Sequence, residues 1–443
     1  MGESADQMKL GSGMESGRDE PKERPRRDSV TFLPEPEPEQ ILCPVISVDD
    51  HAMEPFDLFT SRMPATMAAD MPRVVEDAEG VPFWVIADTA YPIITADGAV
   101  GRPMSEWNNC AQKLEDFRPG VSNPALRLAD MDLCGVWASL CFPSIAWGFA
   151  GTRLSQIADD AAGYRSVQAY NDWMIEDWCG TDPNRYIACQ LTWLRDPELA
   201  AREVRRNAER GCRAVSFSEN PQQLGYPSIH TSYWDPFFAA CEETETVINL
   251  HVGSSGRVTC PSTDSPQDVV VALFPLSGIA ATVDWIYSKI PLRFPDIKIV
   301  LSEAGASWVP MVAERLGRAW KQVDAADASW SRNDPNPVEV LRRNFWYASI
   351  EDPAAYDQIE LVGPTKLMME TDYPHRDSTW PRVQGLLRDM FPKDASADMI
   401  RRVCYGNAAA LFQHPVPPDD RLAASDVGLP DRDPIEPALT SVR

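Results

Sequence analysis

Several features of other protein classes are missing from this 443-residue sequence. It has no run of the roughly eighteen consecutive apolar residues that a membrane-spanning helix needs. Residues 1–29 lack the apolar segment of a secretory signal. Basic residues are outnumbered, because 41 Lys and Arg against 66 Asp and Glu give a formal charge of −25. An acidic surface repels nucleic acid and anionic membranes, so we expect neither as a partner.

The ten cysteines show neither a C-x-x-C pair nor the spacing of a zinc knuckle. The sequence therefore indicates no disulfide framework and no cysteine-based zinc site. Without a secretion signal, we expect a cytoplasmic protein with reduced thiols. Most of these thiols should pack as small apolar groups in the core.

The two ends of the chain differ in composition from its body. Residues 1–40 are charged and rich in Gly, Ser and Pro, and they close on `PEPEPEQ`, which predicts a disordered N-terminal arm. Residues 414–443 form a Pro- and Asp-rich C-terminal tail that could lie over the body. Residues 41–413 contain no obvious linker and are interpreted as one domain.

Eight short segments have the composition of buried strands, and helical patterns such as 196–211, 235–245 and 308–322 separate them. The predicted strands are residues 43–49, 135–142, 185–192, 212–217, 246–251, 297–303, 345–350 and 366–372. They are mostly continuous apolar runs, which is typical of parallel strands buried on both faces. Eight such β units predict an α/β protein with a closed (β/α)8 TIM barrel. Residues 56–130, after the first strand, are predicted to be an insertion that covers the barrel mouth.

Polar residues fall at the carboxyl ends of four predicted strands. Asp49 and His51 end the first strand within `VISVDDHAMEP`, His251 ends the fifth, Glu303 the sixth and Asp372 the eighth. The carboxyl ends of barrel strands meet at one rim, where active sites are built. Residues two apart on a strand share a face, so the first two should point inward while Asp50 points away. A cation between them would offset the crowding of negative charge.

Two carboxylates and two imidazoles that converge on one cavity can bind a divalent transition metal. Taken singly, each residue could instead form a turn or cap a helix. Their coincidence favours a metal site, because the chain has only five histidines and two of them fall at predicted rim positions.

Four segments together carry a resemblance to a known family: `SVDDHAMEP`, `INLHVGSSG`, `IVLSEAGASWVP` and `METDYPH`. In this order they resemble the amidohydrolase superfamily, in the branch that contains aminocarboxymuconate semialdehyde decarboxylase and related decarboxylases and hydrolases. The resemblance spans residues 43–412. It implies that Asp49, His51, His251 and Asp372 hold one divalent metal ion, expected to be zinc, with manganese as the alternative. It also implies that Asp372 orients and deprotonates the metal-bound water.

Other positions remain open under this resemblance. Many relatives have a histidine where this chain has Glu303, which could ligate the metal, hold a water, shuttle a proton or orient a neighbouring ligand. His375 either lines the pocket or stabilises its loop, and His230 either contacts substrate or lies on the surface. Six tryptophans could shape an apolar cleft or simply pack: Trp84, Trp107, Trp147, Trp234, Trp308 and Trp380. Asn407 is expected to cap the last helix.

Three functions are compatible with the sequence. The first is hydrolysis of a C–N bond in an amide, an amidine or a peptide-like substrate, with Asp372 and Glu303 as catalytic groups. Family members that trim modified ribosomal peptides suggest peptide tailoring as one role. The second is non-oxidative decarboxylation of an aromatic or unsaturated acid, and the third is a non-catalytic binding barrel. Loss of the histidine at position 303 favours hydrolysis. A small molecule or a peptide is the expected substrate, and relatives suggest a homodimer.

Overall fold

Eight parallel strands form the centre of the computed structural model, which describes residues 8–11, 30–108, 110–325 and 328–430. Each strand pairs with the next one along the chain. The strands are β1 (Val45–His51), β2 (Val136–Phe142), β3 (Tyr186–Leu191), β4 (Ala214–Ser216), β5 (Val247–His251), β6 (Ile299–Ser302), β7 (Phe345–Ser349) and β8 (Leu367–Met369). All eight coincide with predicted strands, within a few residues at each end.

The barrel closes between β1 and the residues that follow β8. The backbone N–H of Asp372 donates to the carbonyl of Asp49 at 2.9 Å, and that of His51 donates to the carbonyl of Tyr373 at 2.6 Å. These bonds confirm the predicted (β/α)8 barrel. They also hold the two acidic site segments side by side, because the closing contacts involve the site residues themselves.

Helices surround the barrel, and the three predicted from the sequence are found at Pro197–Ala208, Asp235–Glu243 and Val309–Trp320. The other α-helices are Leu58–Arg62, Pro124–Leu133, Asp160–Trp173, Gln267–Ala272, Pro275–Tyr287, Ile290–Arg293, Pro337–Asn344, Pro353–Asp357, Ile359–Val362, Val383–Met390, Ala397–Arg401, Asn407–Phe412 and Asp419–Ala423. The predicted continuous apolar strands are buried throughout β1 and β5. Barrel and helices share one hydrophobic core.

The segment predicted as an insertion carries a small sheet of its own. Its antiparallel strands are Arg73–Glu76, Pro82–Ile86 and Thr89–Pro92, and Lys9–Leu10 adds a parallel strand at the edge. The segment reaches the strand ends of the barrel, because the N–H of Ala99 donates to the carbonyl of Pro374 at 2.9 Å.

The N-terminal arm departs from the predicted disorder over residues 8–11, which pair with the small sheet, and over residues 30–40. The N–H of Leu33 donates to the carbonyl of Gly101 at 2.8 Å. The carboxylate of Glu39 accepts from the N–H groups of Gln384 at 2.7 Å and Gly385 at 3.0 Å. The arm is thus ordered by hydrogen bonds rather than by apolar burial, and composition does not register such bonds. Residues 1–7 and 12–29 lie outside the described residues.

The C-terminal tail lies over the body as far as residue 430. The N–H groups of Asp426 and Val427 donate to the carbonyls of Ile41 at 2.9 Å and Leu42 at 3.1 Å. The short helix Asp419–Ala423 buries Leu422. Residues 431–443 lie outside the described residues.

One helical stretch of the described residues is markedly apolar. Gln267–Tyr287 is long and apolar enough to cross a membrane by length and composition alone, with a mean hydropathy of 1.9 and 33% of its most apolar window buried. It lies between β5 and β6, which is the position of a barrel helix.

Candidate active site and metal centre

The four predicted metal ligands lie together at the carboxyl ends of the strands. Asp49 and His51 come from the end of β1, His251 from the end of β5, and Asp372 from the segment after β8. All four side chains are buried. The Nε2 atom of His51 lies 3.4 Å from Asp49 and 3.3 Å from Asp372, and Nε2 of His251 lies 3.5 Å from Asp49. Side chains from three distant parts of the chain therefore converge on one point.

Backbone carbonyls orient both imidazole rings. The Nδ1 atom of His51 lies 2.9 Å from the carbonyl oxygen of Pro143, and Nδ1 of His251 lies 2.8 Å from that of Val252. A carbonyl only accepts hydrogen bonds, so the proton of each ring is placed on Nδ1. The lone pair of each Nε2 then faces the carboxylates, which is the arrangement of a histidine ligand.

The polar atoms at this point fit a divalent metal ion. Both carboxylate oxygens of Asp49 and of Asp372, and the Nε2 atoms of His51 and His251, are buried without a hydrogen-bond partner among the described residues. Buried polar atoms are normally paired, because an unpaired one costs free energy. A nitrogen and oxygen donor set of this kind suits zinc, manganese or iron.

The pKa shifts of these side chains also fit a divalent metal ion. Burial, together with the charges of Glu370, Asp372, Glu303 and Asp50, raises the pKa of Asp49 well above its usual value. Burial lowers the pKa of His51 to about 4 and that of His251 well below its usual value. The imidazoles are therefore neutral at pH 7, as metal coordination requires.

Asp50 points away from this cluster, as the alternation along β1 predicts. Its carboxylate accepts hydrogen bonds from the hydroxyls of Ser139 and Thr371 and from the N–H of Tyr373. Burial raises the pKa of Asp50 to about 6, while these bonds and the nearby guanidinium of Arg127 lower it. The two adjacent aspartates thus belong to different networks.

Glu303 lies beside the cluster in a left-handed backbone conformation, with φ of 60°. One of its carboxylate oxygens is 3.7 Å from Nδ1 of His251. Its N–H donates to the carboxylate of Glu370, a buried acid that the sequence analysis did not single out. Burial raises the pKa of Glu303 well above its usual value and that of Glu370 to about 8. In the sequence, the position of Glu370 two residues before Asp372 is the feature that could indicate its place near the site.

His375 joins the cluster from the loop after β8. Its ring stacks on that of His51 with 3.8 Å between centroids, and its Nδ1 lies 2.9 Å from a carboxylate oxygen of Asp372. The ligand atoms of these three residues all lie within 4.8 Å of one another. Burial lowers the pKa of His375 to about 4.

His230 is not brought to this site. Its side chain is 46% exposed, and its Nε2 lies 2.7 Å from a carboxylate oxygen of Asp284 on the helix Pro275–Tyr287. The loop after β4 runs outward to this helix, which favours the surface alternative over substrate contact. The side chain of Asn407 does not cap the last helix either, because its amide donates to the carbonyls of Pro364 and Leu367.

A cavity of about 190 Å³ adjoins the cluster at His375. Its walls include Trp107 and Trp380, two of the six tryptophans predicted to shape a cleft, and the residues Arg102 and Arg118. The other four tryptophans (Trp84, Trp147, Trp234 and Trp308) are buried in the core. Neither arginine was anticipated, because both lie in the insertion, where the sequence shows no barrel periodicity.

The barrel, with polar side chains that converge at its strand ends, is typical of metal-dependent (β/α)8 enzymes. The chain belongs to the amidohydrolase family, whose sequence profile matches residues 61–413. It is similar to a gamma-resorcylate decarboxylase of Polaromonas sp. (strain JS666 / ATCC BAA-500), with 22% identity over 284 residues that span 58% of this chain and 79% of the relative.

Two solved structures share the fold. An amidohydrolase from Mycobacterium avium subsp. paratuberculosis K-10 has a TM-score of 0.67 and 24% identity, covering 84% of this chain and 99% of that one. A dihydroxybenzoic acid decarboxylase from Polaromonas sp. JS666, solved with manganese and the inhibitor 2-nitroresorcinol, has a TM-score of 0.56 and 17% identity, covering 84% and 97%.

These findings correct two predictions. The prediction that the protein hydrolyses a C–N bond, with peptide tailoring as one role, is wrong, because the sequence relative is a decarboxylase. The fault lay in the weight given to the missing histidine at position 303. The choice of zinc finds no support, since the decarboxylase of known structure holds manganese. What stands is a site for a divalent metal ion.

Proposed function

We propose that the protein is a metal-dependent carboxy-lyase that removes carbon dioxide from an aromatic carboxylic acid without oxidation. The observation that carries the proposal is the cavity beside His375, which adjoins the metal-type cluster and has Trp107 and Trp380 among its walls, as suits an aromatic ring. The decarboxylase activity of the sequence relative supports the same reaction.

In this proposal Asp49, His51, His251 and Asp372 hold one divalent ion, for which manganese is our choice. Such an ion supplies Lewis acidity, which stabilises the negative charge that develops as carbon dioxide leaves. The cluster excludes water well, because its side chains are buried. Electrostatic stabilisation is stronger in such a site than in solvent.

The reaction breaks one C–C bond, releases carbon dioxide and leaves an electron pair on the ring carbon, which must take up one proton. We propose that Asp372 and His375 relay this proton from solvent to the ring carbon, because a carboxylate oxygen of Asp372 lies 2.9 Å from Nδ1 of His375. The carboxylate of Glu303 lies 3.7 Å from Nδ1 of His251, and we propose that its charge reinforces the orientation that the carbonyl of Val252 gives to that ring.

The test is carbon dioxide release from aromatic acids by the manganese-loaded protein. The panel contains 2,6-dihydroxybenzoate, 5-carboxyvanillate and their amides, which report on decarboxylation and hydrolysis separately. We expect carbon dioxide and no ammonia. Failure of every acid, with about one metal ion bound per chain, would contradict the proposal.

Matched histidine variants sharpen this test. His251→Asn removes a proposed ligand and should abolish both metal binding and turnover, whereas His230→Asn changes a histidine outside the site and should preserve both. Asp372→Asn should keep the fold and lose turnover. Equal activity of His251→Asn and His230→Asn would refute the ligand assignment.

We also propose a reducing compartment such as the cytoplasm, and a small molecule rather than a peptide as substrate. All ten cysteines are free thiols, nine of them buried, which supports the first point. The small volume of the cavity supports the second.

A further inference from the structure

We propose that residues 31–36 of the N-terminal arm form the outer wall of the pocket that receives the aromatic ring. This inference rests on the proposed function for the identity of the ligand. It assigns a binding role to a segment outside the barrel, whose sequence alone predicts disorder.

The arm closes one side of the cavity beside His375. Leu33, Pro34 and Pro36 line it from the arm, and Trp107 and Trp380 line it from the body of the protein. Its volume is about 190 Å³. A cavity of about 150 Å³ is large enough to bind benzene, so this one has room for a single substituted ring.

Hydrogen bonds fix the arm at both ends across the cavity. On the side of the insertion, the N–H of Thr31 donates to Glu106 at 3.1 Å, and Leu33 is bonded to Gly101. On the other side, the carboxylate of Glu39 accepts from the first turn of the helix Val383–Met390. Three prolines between these anchors restrict the backbone of the arm to extended conformations. The arm therefore spans the cavity as a strap.

An ion pair joins the arm to the cavity wall. Arg118 donates to both carboxylate oxygens of Glu35, and its Nε donates to Asp130 at 2.8 Å. The same guanidinium lies 4.5 Å from the ring centroid of Trp380. The position of the arm is thus coupled to a tryptophan that would contact the bound ring.

The experiment changes the size of Leu33, whose side chain is 51% exposed and lines the cavity from outside. Leu33→Trp should fill the cavity, and Leu33→Ala should enlarge it. Leu361→Trp and Leu361→Ala are the matched controls, because Leu361 is exposed to a similar degree on the helix Ile359–Val362. Thermal unfolding of each variant verifies that it is folded.

The probes are salicylate, with one ring, and 1-hydroxy-2-naphthoate, with two, titrated calorimetrically into the manganese-loaded protein. We expect Leu33→Trp to weaken salicylate binding about tenfold, which corresponds to about 1.4 kcal/mol. Leu33→Ala should improve naphthoate binding relative to salicylate by a similar factor. An arm with a purely structural role would not change the ratio between the two ligands.

Binding and turnover separate this inference from the proposed function. If Leu33 variants change ligand preference while no acid releases carbon dioxide, the pocket assignment stands and decarboxylation fails. If carbon dioxide is released but affinities match those of the Leu361 controls, the arm is not a pocket wall. Absence of salicylate binding to the unaltered protein also overturns the inference, because the cavity would then not accept the ligand for which it is sized.

Discussion

Replacement of Glu54 by glutamine should change how stability depends on pH. Glu54 is 1% exposed, and its carboxylate accepts hydrogen bonds from the N–H of Ser144 at 3.0 Å and its hydroxyl at 2.7 Å. Burial raises the pKa of Glu54 from 4.5 to about 7, although these bonds lower it. The folded state therefore binds this proton more tightly than the unfolded state does.

The direction of the effect follows from linkage. The stabilising contribution of the protonated carboxyl is fully present below pH 4.5 and is lost as the pH rises to about 7. The difference between the two pKa values corresponds to about 3 kcal/mol of unfolding free energy. Glutamine is neutral at every pH and has nearly the same shape. The variant should therefore match the unaltered protein near pH 4 and be more stable by up to about 3 kcal/mol at pH 8.

Urea unfolding at half-unit intervals from pH 4 to 8 measures this difference. Other buried acids titrate in both proteins, so the informative quantity is the difference between the two curves. Glu360→Gln is the control, because Glu360 is exposed on the helix Ile359–Val362 and its surroundings change little on unfolding. Curves for the unaltered protein and Glu54→Gln that run parallel across the range would refute the reasoning.

Three further predictions concern the site and its supports. Manganese at one hundred times its dissociation constant should raise the free energy of unfolding of the chelator-treated protein by about 2.7 kcal/mol. Thermal unfolding measures the effect, and an equal rise in melting temperature for His251→Asn would contradict the metal site. Asn407→Ala should lower the free energy of unfolding by about 1–3 kcal/mol, because the carbonyls of Pro364 and Leu367 lose their donor. Urea unfolding measures this loss beside the exposed control Asn184→Ala, and equal losses in the two variants would contradict the role given to the Asn407 amide. Asp352→Asn should reduce turnover roughly tenfold at unchanged metal content, because the Asp352 carboxylate fixes the loop after Glu303 through the N–H groups of Ala306 and Ser307. Unchanged turnover would show that this loop does not depend on Asp352.

The barrel and the residues at its strand ends could be predicted from the sequence because both follow from local pattern. Continuous apolar runs report burial on two faces, and a polar residue that ends such a run reports the rim. Asp49, His51, His251 and Asp372 were found in this way. The same rule gives no position for His230, because this residue does not end a strand and lies on a loop that leaves the rim.

The arm and the cavity could not be predicted, because no local pattern encodes them. Residues 31–40 are held by backbone bonds to Gly101 and by the carboxylate of Glu39, and such partners become visible only in the folded chain. Arg102 and Arg118 belong to the insertion, which has no barrel periodicity. A segment poor in apolar residues can therefore still be ordered when its partners are supplied by the rest of the protein.

The adjacency of Asp49 and Asp50 shows how one strand serves both chemistry and architecture. The pleat of β1 sends the first carboxylate toward the two histidines and the second toward Thr371 and Tyr373. Because Asp50 anchors the two neighbours of Asp372, it fixes the position of that ligand from behind. Asp50→Asn should therefore weaken metal binding although Asp50 does not face the site, and calorimetric titration with manganese would measure the loss. Unchanged affinity in a folded variant would show that the closing bonds of the barrel alone position Asp372.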